Sequence, residues 1–177
     1  MPGLIRAFDI FPDTMKIKLF LSLLTLAGLC FLGTGCQHKP RPGEVPTLSL
    51  KTYSGETFTV SPEDTQVTLL VFWATWCEPC VMEIPTLVSL QEKYRGRGFR
   101  VVAINMDDAD GSKAQPIMEH FGVNYPVLVG SDEVGNKLGG LWGLPTSFLI
   151  GRDGILKDKI VGLAPDGELE SKILALL

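Results

Sequence analysis

The chain is 177 residues long, 45% hydrophobic and 20% charged, and its 16 Lys and Arg against 20 Asp and Glu give a formal charge of -4. That balance excludes intrinsic disorder and the clustered basic surface of a nucleic-acid binder, and 19 glycines without a strict period exclude collagen. Four cysteines, Cys30, Cys36, Cys77 and Cys80, are too few to staple a miniature fold, so one ordinary domain with its own core is expected.

The amino-terminal residues 1–35 read as an address. Leu19 to Gly35 is a run of 17 uncharged residues behind Met15-Lys16-Ile17-Lys18, a basic head before an apolar stretch, as in an export signal. Residues 1–14 sit ahead of that head, which points to Met15 as the natural start of translation. The run ends in Leu32-Gly33-Thr34-Gly35-Cys36. This resembles a bacterial lipobox, in which small residues precede a cysteine that is acylated and becomes the mature amino terminus, although Gly33 departs from the usual Leu. An uncleaved anchor is the alternative, since 17 residues is the lower limit for spanning hydrocarbon. On either reading the rest of the chain is membrane-attached on the periplasmic side of a bacterial cell envelope. Residues 36–45 are polar and proline-rich, a tether, and the folded domain is expected over 46–177.

Within that domain, Leu48, Leu50 and Tyr53 before Ser54-Gly55, then Phe58 and Val60, alternate as a β-hairpin does. Val67 to Trp73 is continuously apolar and reads as a buried central strand. Cys77-Glu78-Pro79-Cys80 follows, opening a helix with Val81, Ile84, Leu87 and Val88 on one side and an end near Arg95 to Gly98. Phe99–Asn105 is predicted as a second buried strand, Ser112–Phe121 as a short helix and Pro126–Val129 as a strand. Thr146–Ile150 and Ile155–Val161 flank an Asp153-Gly154 turn, and Pro165–Leu177 closes the chain as a helix with Leu169, Ile173, Leu176 and Leu177 on one face. Strands alternating with helices imply a sheet with parallel members.

A Cys-x-x-Cys pair where a strand turns into a helix suits redox chemistry. Unpaired N-H groups and the partial positive charge of a helix amino terminus favour a thiolate at the first cysteine, and the spacing lets the second reach it. Cys77 is thus the expected nucleophile and Cys80 the resolving thiol. A c-type haem site would need His at position 81, which is Val. A zinc site would need two more ligands, and His120 is the one histidine left in the body. No metal and no bound cofactor are expected.

The segment Phe72-Trp73-Ala74-Thr75-Trp76-Cys77-Glu78-Pro79-Cys80, followed by Glu83-Ile84-Pro85, resembles the active-site segment of the thioredoxin superfamily, and is most similar to membrane-anchored TlpA/ResA-like thiol-disulfide reductases. Gly143-Leu144-Pro145-Thr146 matches that family's second signature, a cis-proline loop facing the dithiol, and the 68 positions from Cys77 to Pro145 leave room for the helix and strand this branch inserts. The resemblance implies a thioredoxin-like three-layer α/β/α sandwich with a central mixed sheet, an amino-terminal β-hairpin and an inserted αβ element between the two signatures.

It also implies roles. Trp76 would offer a flat apolar surface beside Cys77, the alternative being an ordinary core tryptophan. Pro85 should kink the helix, and the Leu144 backbone before Pro145 would pair with an incoming chain. Ordinary thioredoxins carry a buried Asp six residues before the first cysteine; here that place holds Val71. Glu83, three residues after Cys80, matches the family's substitute and is the expected base for Cys80, against the alternative of a solvated helix carboxylate. Glu78, between the cysteines, opposes the helix dipole and is expected to bias the pair toward a reducing poise.

The expected function is therefore exported thiol-disulfide exchange, chiefly reduction. Envelope protein disulfides are the substrates, and by resemblance these include apocytochrome c cysteines in cytochrome c maturation. A membrane thiol carrier supplies electrons; the protein is taken as a monomer and binds no nucleic acid. A peroxiredoxin is the enzymatic alternative, but its Pro-x-x-x-Thr-x-x-Cys spacing falls on Leu70 and Ala74. A copper or haem chaperone using the two cysteines as ligands is the non-enzymatic one.

Overall fold

The computed structural model describes residues 40–165 and 167–177. The export segment, Met15, Cys30 and Cys36 lie outside the described residues, and no described helix is long and apolar enough to cross a membrane.

The strands are β1 (Leu48–Lys51), β2 (Thr57–Val60), β3 (Val67–Trp73), β4 (Phe99–Asn105), β5 (Val127–Val129), β6 (Thr146–Ile150) and β7 (Leu156–Val161). The helices are α1 (Glu78–Tyr94), α2 (Ala114–His120), α3 (Asp132–Lys137) and α4 (Glu168–Leu174). Five strands form a mixed sheet in the order β5-β4-β3-β6-β7, with β3, β4 and β5 parallel and β6 and β7 antiparallel to their neighbours. β1 and β2 make the expected separate hairpin, and a bridge from Thr52 to Leu128 lays it along the β5 edge, covering that edge from other chains.

β3 is central because every one of its residues is buried, as its unbroken apolar run requires. Its side chains alternate between two cores. Val67, Leu69, Val71 and Trp73 face α1, α2 and α4; Leu70 and Phe72 join Leu48, Val60 and Val134 from the hairpin and α3. The sheet is thus sandwiched, with three helices on one face and the hairpin plus α3 on the other. α1 buries Cys80, Ile84, Leu87, Leu90 and Tyr94, a stripe at helical spacing. Each large apolar member contributes about 1.5 to 3 kcal/mol on burial. Val81 and Val88, expected on that stripe, are half-buried at its margins.

β5 and β7 each start one residue later than expected, α4 spans only Glu168–Leu174 of the expected 165–177, and two further elements differ from the sequence reading. α2 begins at Ala114 rather than Ser112, because the Asp108 carboxylate accepts the Lys113 and Ala114 N-H groups (2.9 and 2.8 Å) and caps the helix there. α3 was not predicted: its six residues, with Gly135 in the middle, present no helical periodicity. Gly135 is needed for packing, since a Cβ there would lie 2.9 Å from the Leu141 side chain.

Residues 41–45 are hydrogen-bonded onto the body. Val45 N-H donates to Gly154 O (3.0 Å), Leu156 N-H donates to Gly43 O (2.9 Å), and the Arg41 guanidinium binds Asp153 O. The chain therefore enters the body at the β6–β7 turn. Because β6 runs antiparallel to β3, that turn lies at the Val67 end of the sheet, and the segment after Trp73 lies at the other.

Candidate active site

The dithiol site is built where β3 hands over to α1. Ala74 to Cys77 form a turn closed by Cys77 N-H donating to Ala74 O (3.1 Å), and Cys77 then caps α1, its carbonyl accepting the N-H groups of Cys80 and Val81 (3.0 and 3.1 Å). Pro79 sits in the first turn, where its missing N-H leaves no bond unmade. Cys77 and Cys80 are joined by a disulfide, with Sγ atoms 2.06 Å apart and Cα atoms 5.3 Å apart. Both are buried; Glu78 between them is exposed. Trp76 is 72% exposed and so is no core tryptophan.

Behind the pair, Val71 faces the same core as Cys80, so the place of the usual buried acid is apolar. A cavity of about 10 Å³ there is lined by Val71, Trp73, Cys80 and Tyr125. A buried carboxyl stands on the helix instead, that of Glu83. One turn beyond Cys80 on the same helical face, it is only 3% exposed. One carboxylate oxygen accepts the Ala164 N-H, and Oε2 has no hydrogen-bond partner among the described residues. Burial pushes its pKa up to about 7, the single hydrogen bond opposing this. Burial, and then the Glu83 charge, also raise the Tyr125 phenol. Glu83 borders a groove of about 510 Å³ between α1 and the segment before α4, alongside Met82, Pro85, Leu163 and Pro165. Pro85 lies within α1, as its sequence position requires.

β6 begins beside the carboxyl end of β3, with Thr146 paired to Phe72, and brings the second signature to the same end of the sheet. The Leu144-Pro145 peptide bond is cis, and Leu144 packs against both cores. Upstream of it Trp142 is 85% exposed on a loop that is nonetheless fixed. Leu141 sits over Gly135, Lys159 Nζ donates to Gly140 O (2.8 Å) and Thr146 Oγ1 donates to Gly143 O (2.7 Å). Trp142 was not singled out from the sequence; an aromatic among glycines just before the proline signature was the signal available.

The comparisons with known proteins agree with this arrangement. The AhpC/TSA family pattern matches residues 43–159, which span the dithiol turn, the inserted segment and the proline loop. The chain belongs to the AhpC/TSA family. Within this thioredoxin-like family it is 32% identical to the thioredoxin-like protein YneN of Bacillus subtilis over 132 residues, covering 73% of this chain and 76% of that one. It is 31% identical to the thiol-disulfide oxidoreductase ResA of Bacillus thuringiensis, covering 72% and 73%. Among solved structures, a thiol:disulfide interchange protein of the thioredoxin family from Chlorobium tepidum superposes with a TM-score of 0.70 at 29% identity, covering 78% of this chain and 99% of that one. The fold is thioredoxin-like, and the enzyme is a thiol-disulfide oxidoreductase of the ResA type. The family's other chemistry finds no support at the dithiol, since Leu70 and Ala74, in the places of the peroxiredoxin Pro and Thr, are fully buried apolar residues.

Proposed function

We propose that this protein reduces disulfides of other proteins in the bacterial cell envelope, with Cys77 as nucleophile, Cys80 as resolving thiol and Glu83 as the base for Cys80. The observation that carries the reading is a cysteine pair at a helix amino terminus with a buried, half-satisfied carboxyl one turn away. The Cys77 thiolate attacks a client disulfide, forming a Cys77-client bond and releasing one client thiolate. Cys80, losing its proton to Glu83, attacks the Cys77 sulfur and releases the second client thiolate, so the client gains two electrons and the Cys77-Cys80 disulfide forms. The cysteine pair works without a bound cofactor or metal.

Trp76, exposed beside Cys77, and Trp142, exposed three residues before the cis-proline, give an extended client apolar surface, and the Leu144 backbone pairs with it. An anchor at Cys36 holds the protein to the membrane, where a thiol carrier re-reduces it. Apocytochrome c cysteines are one client class that this reading includes.

The test is dithiothreitol-driven reduction of insulin, with hydrogen peroxide consumption measured alongside. Insulin reduction that is lost in Cys77→Ser supports the reading. Peroxide turnover dependent on Cys77, without insulin reduction, would replace it with the peroxidase one.

A further inference from the structure

Thr75 is the second residue of the turn that delivers Cys77 to the helix, and its N-H and hydroxyl are both taken by one side chain from the segment after β4. Thr75 N-H donates to Asp107 Oδ1 (2.8 Å) and Thr75 Oγ1 donates to Asp107 Oδ2 (2.6 Å), so the carboxylate grips the turn with both oxygens. The grip is rigid because Asp107 is fixed in turn. It lies two residues past the end of β4, next to Met106, whose N-H donates to Trp73 O (2.9 Å). The buried Asn105 donates from Nδ2 to Asp107 Oδ1 (3.2 Å) and accepts the Asp107 and Asp108 N-H groups on its own Oδ1 (3.1 and 2.8 Å). Asp108 is separately committed, capping α2 with its side chain while its carbonyl accepts the Tyr53 hydroxyl (2.8 Å).

We infer that Asp107 is a positioning residue for the dithiol: by holding Thr75 it fixes the turn that sets the Cys77 sulfur against the α1 amino terminus, and so sets the reactivity of the Cys77 thiolate. The physical argument is alignment. A thiolate gains from a helix terminus only within its first turn, and reactivity falls steeply when a reacting atom is displaced by about 1 Å. Thr75 N-H, at the second position of the turn, has no role in the turn's own hydrogen bond, so without Asp107 nothing in the turn holds it. Charge-assisted bonds to a carboxylate are the stronger class of hydrogen bond, and two of them on one residue define its orientation. The same clamp ties the segment after β4, with α2 and the hairpin bound to it through Asp108, to the reacting end of the molecule.

The inference rests on Cys77 being the attacking thiol. It is tested by the rate at which the reduced full-length protein is alkylated by iodoacetamide at pH 7, with the modified cysteine identified by mass spectrometry. Thr75→Val keeps the charge on Asp107 but loses the hydroxyl bond, and is expected to slow alkylation of Cys77 about tenfold. Thr75→Ser restores that bond and is expected to react within about twofold of the parent. Equal rates for the two variants would overturn the inference, because a merely structural or distant role would not follow the hydroxyl. Should Thr75→Val fail to fold, Thr75→Ala loses the same bond and takes its place with the same expected and contrary results. Alkylation of the parent first at Cys80 would instead refute the assignment of the nucleophile, an outcome distinct from failure of the clamp.

Discussion

Glu83 joins the burial of one side chain to the chemistry of another. Its carboxyl is almost wholly removed from water, accepts one backbone bond and titrates at about 7 instead of 4.5. Between those two values the unfolded chain releases a proton that the folded chain retains, so stability falls as pH rises across that window and the effect is absent below it. Glu83→Gln cannot ionise and is expected to be more stable than the parent at pH 8, by up to about 3 kcal/mol, and nearly equal at pH 4; urea unfolding at both pH values measures this. The same substitution should flatten the rise through pH 7 in the rate at which Cys80 resolves a mixed disulfide. An unaltered pH profile would remove Glu83 from the mechanism. Glu78 is exposed between the two cysteines, so the effect expected of it is one of charge. Replacing it by Gly or His is expected to raise the reduction potential by on the order of 30 mV in glutathione equilibration, and a fall would contradict the electrostatic account.

At the scale of elements, what was legible in the sequence is what the hydrophobic effect writes there. β3 and β4 were found with the correct bounds, Val67–Trp73 and Phe99–Asn105, because a strand buried on both faces is an unbroken apolar run. The hairpin and the β6–β7 turn were legible from Ser54-Gly55 and Asp153-Gly154. α3 was not legible, since it is held by the burial of Val134 among distant residues and by Leu141 over Gly135, and not by its own pattern. The Asp107 clamp was also missed. Its signal was local, an Asn105-Met106-Asp107-Asp108 string directly after a strand, where short polar side chains bind nearby backbone; the partner Thr75 lies 32 residues away. Gly154 illustrates a turn residue whose need is steric. Its φ is +72°, and a Cβ would lie 2.1 Å from Pro62 O. Gly154→Ala is expected to destabilise the protein by more than about 2 kcal/mol in urea unfolding while leaving the dithiol chemistry of the folded fraction intact.

The whole molecule has two working ends. Chain entry at Arg41–Val45 is stitched to the β6–β7 turn, while the dithiol turn and the proline loop lie where β3 ends and β6 begins. The sequence carried both chemical signatures, Cys77 to Cys80 and Leu144-Pro145, but not the fact that one sheet end assembles them with Asp107, which depends on strand order. The central claim, that Cys77 attacks protein disulfides and Cys80 resolves them, is tested most directly by trapping. In cells carrying Cys80→Ser, mixed disulfides between Cys77 and envelope proteins are expected to accumulate and to disappear when Cys77 is also replaced. Trapped complexes that persist without Cys77, or none at all from a folded Cys80→Ser protein, would contradict it.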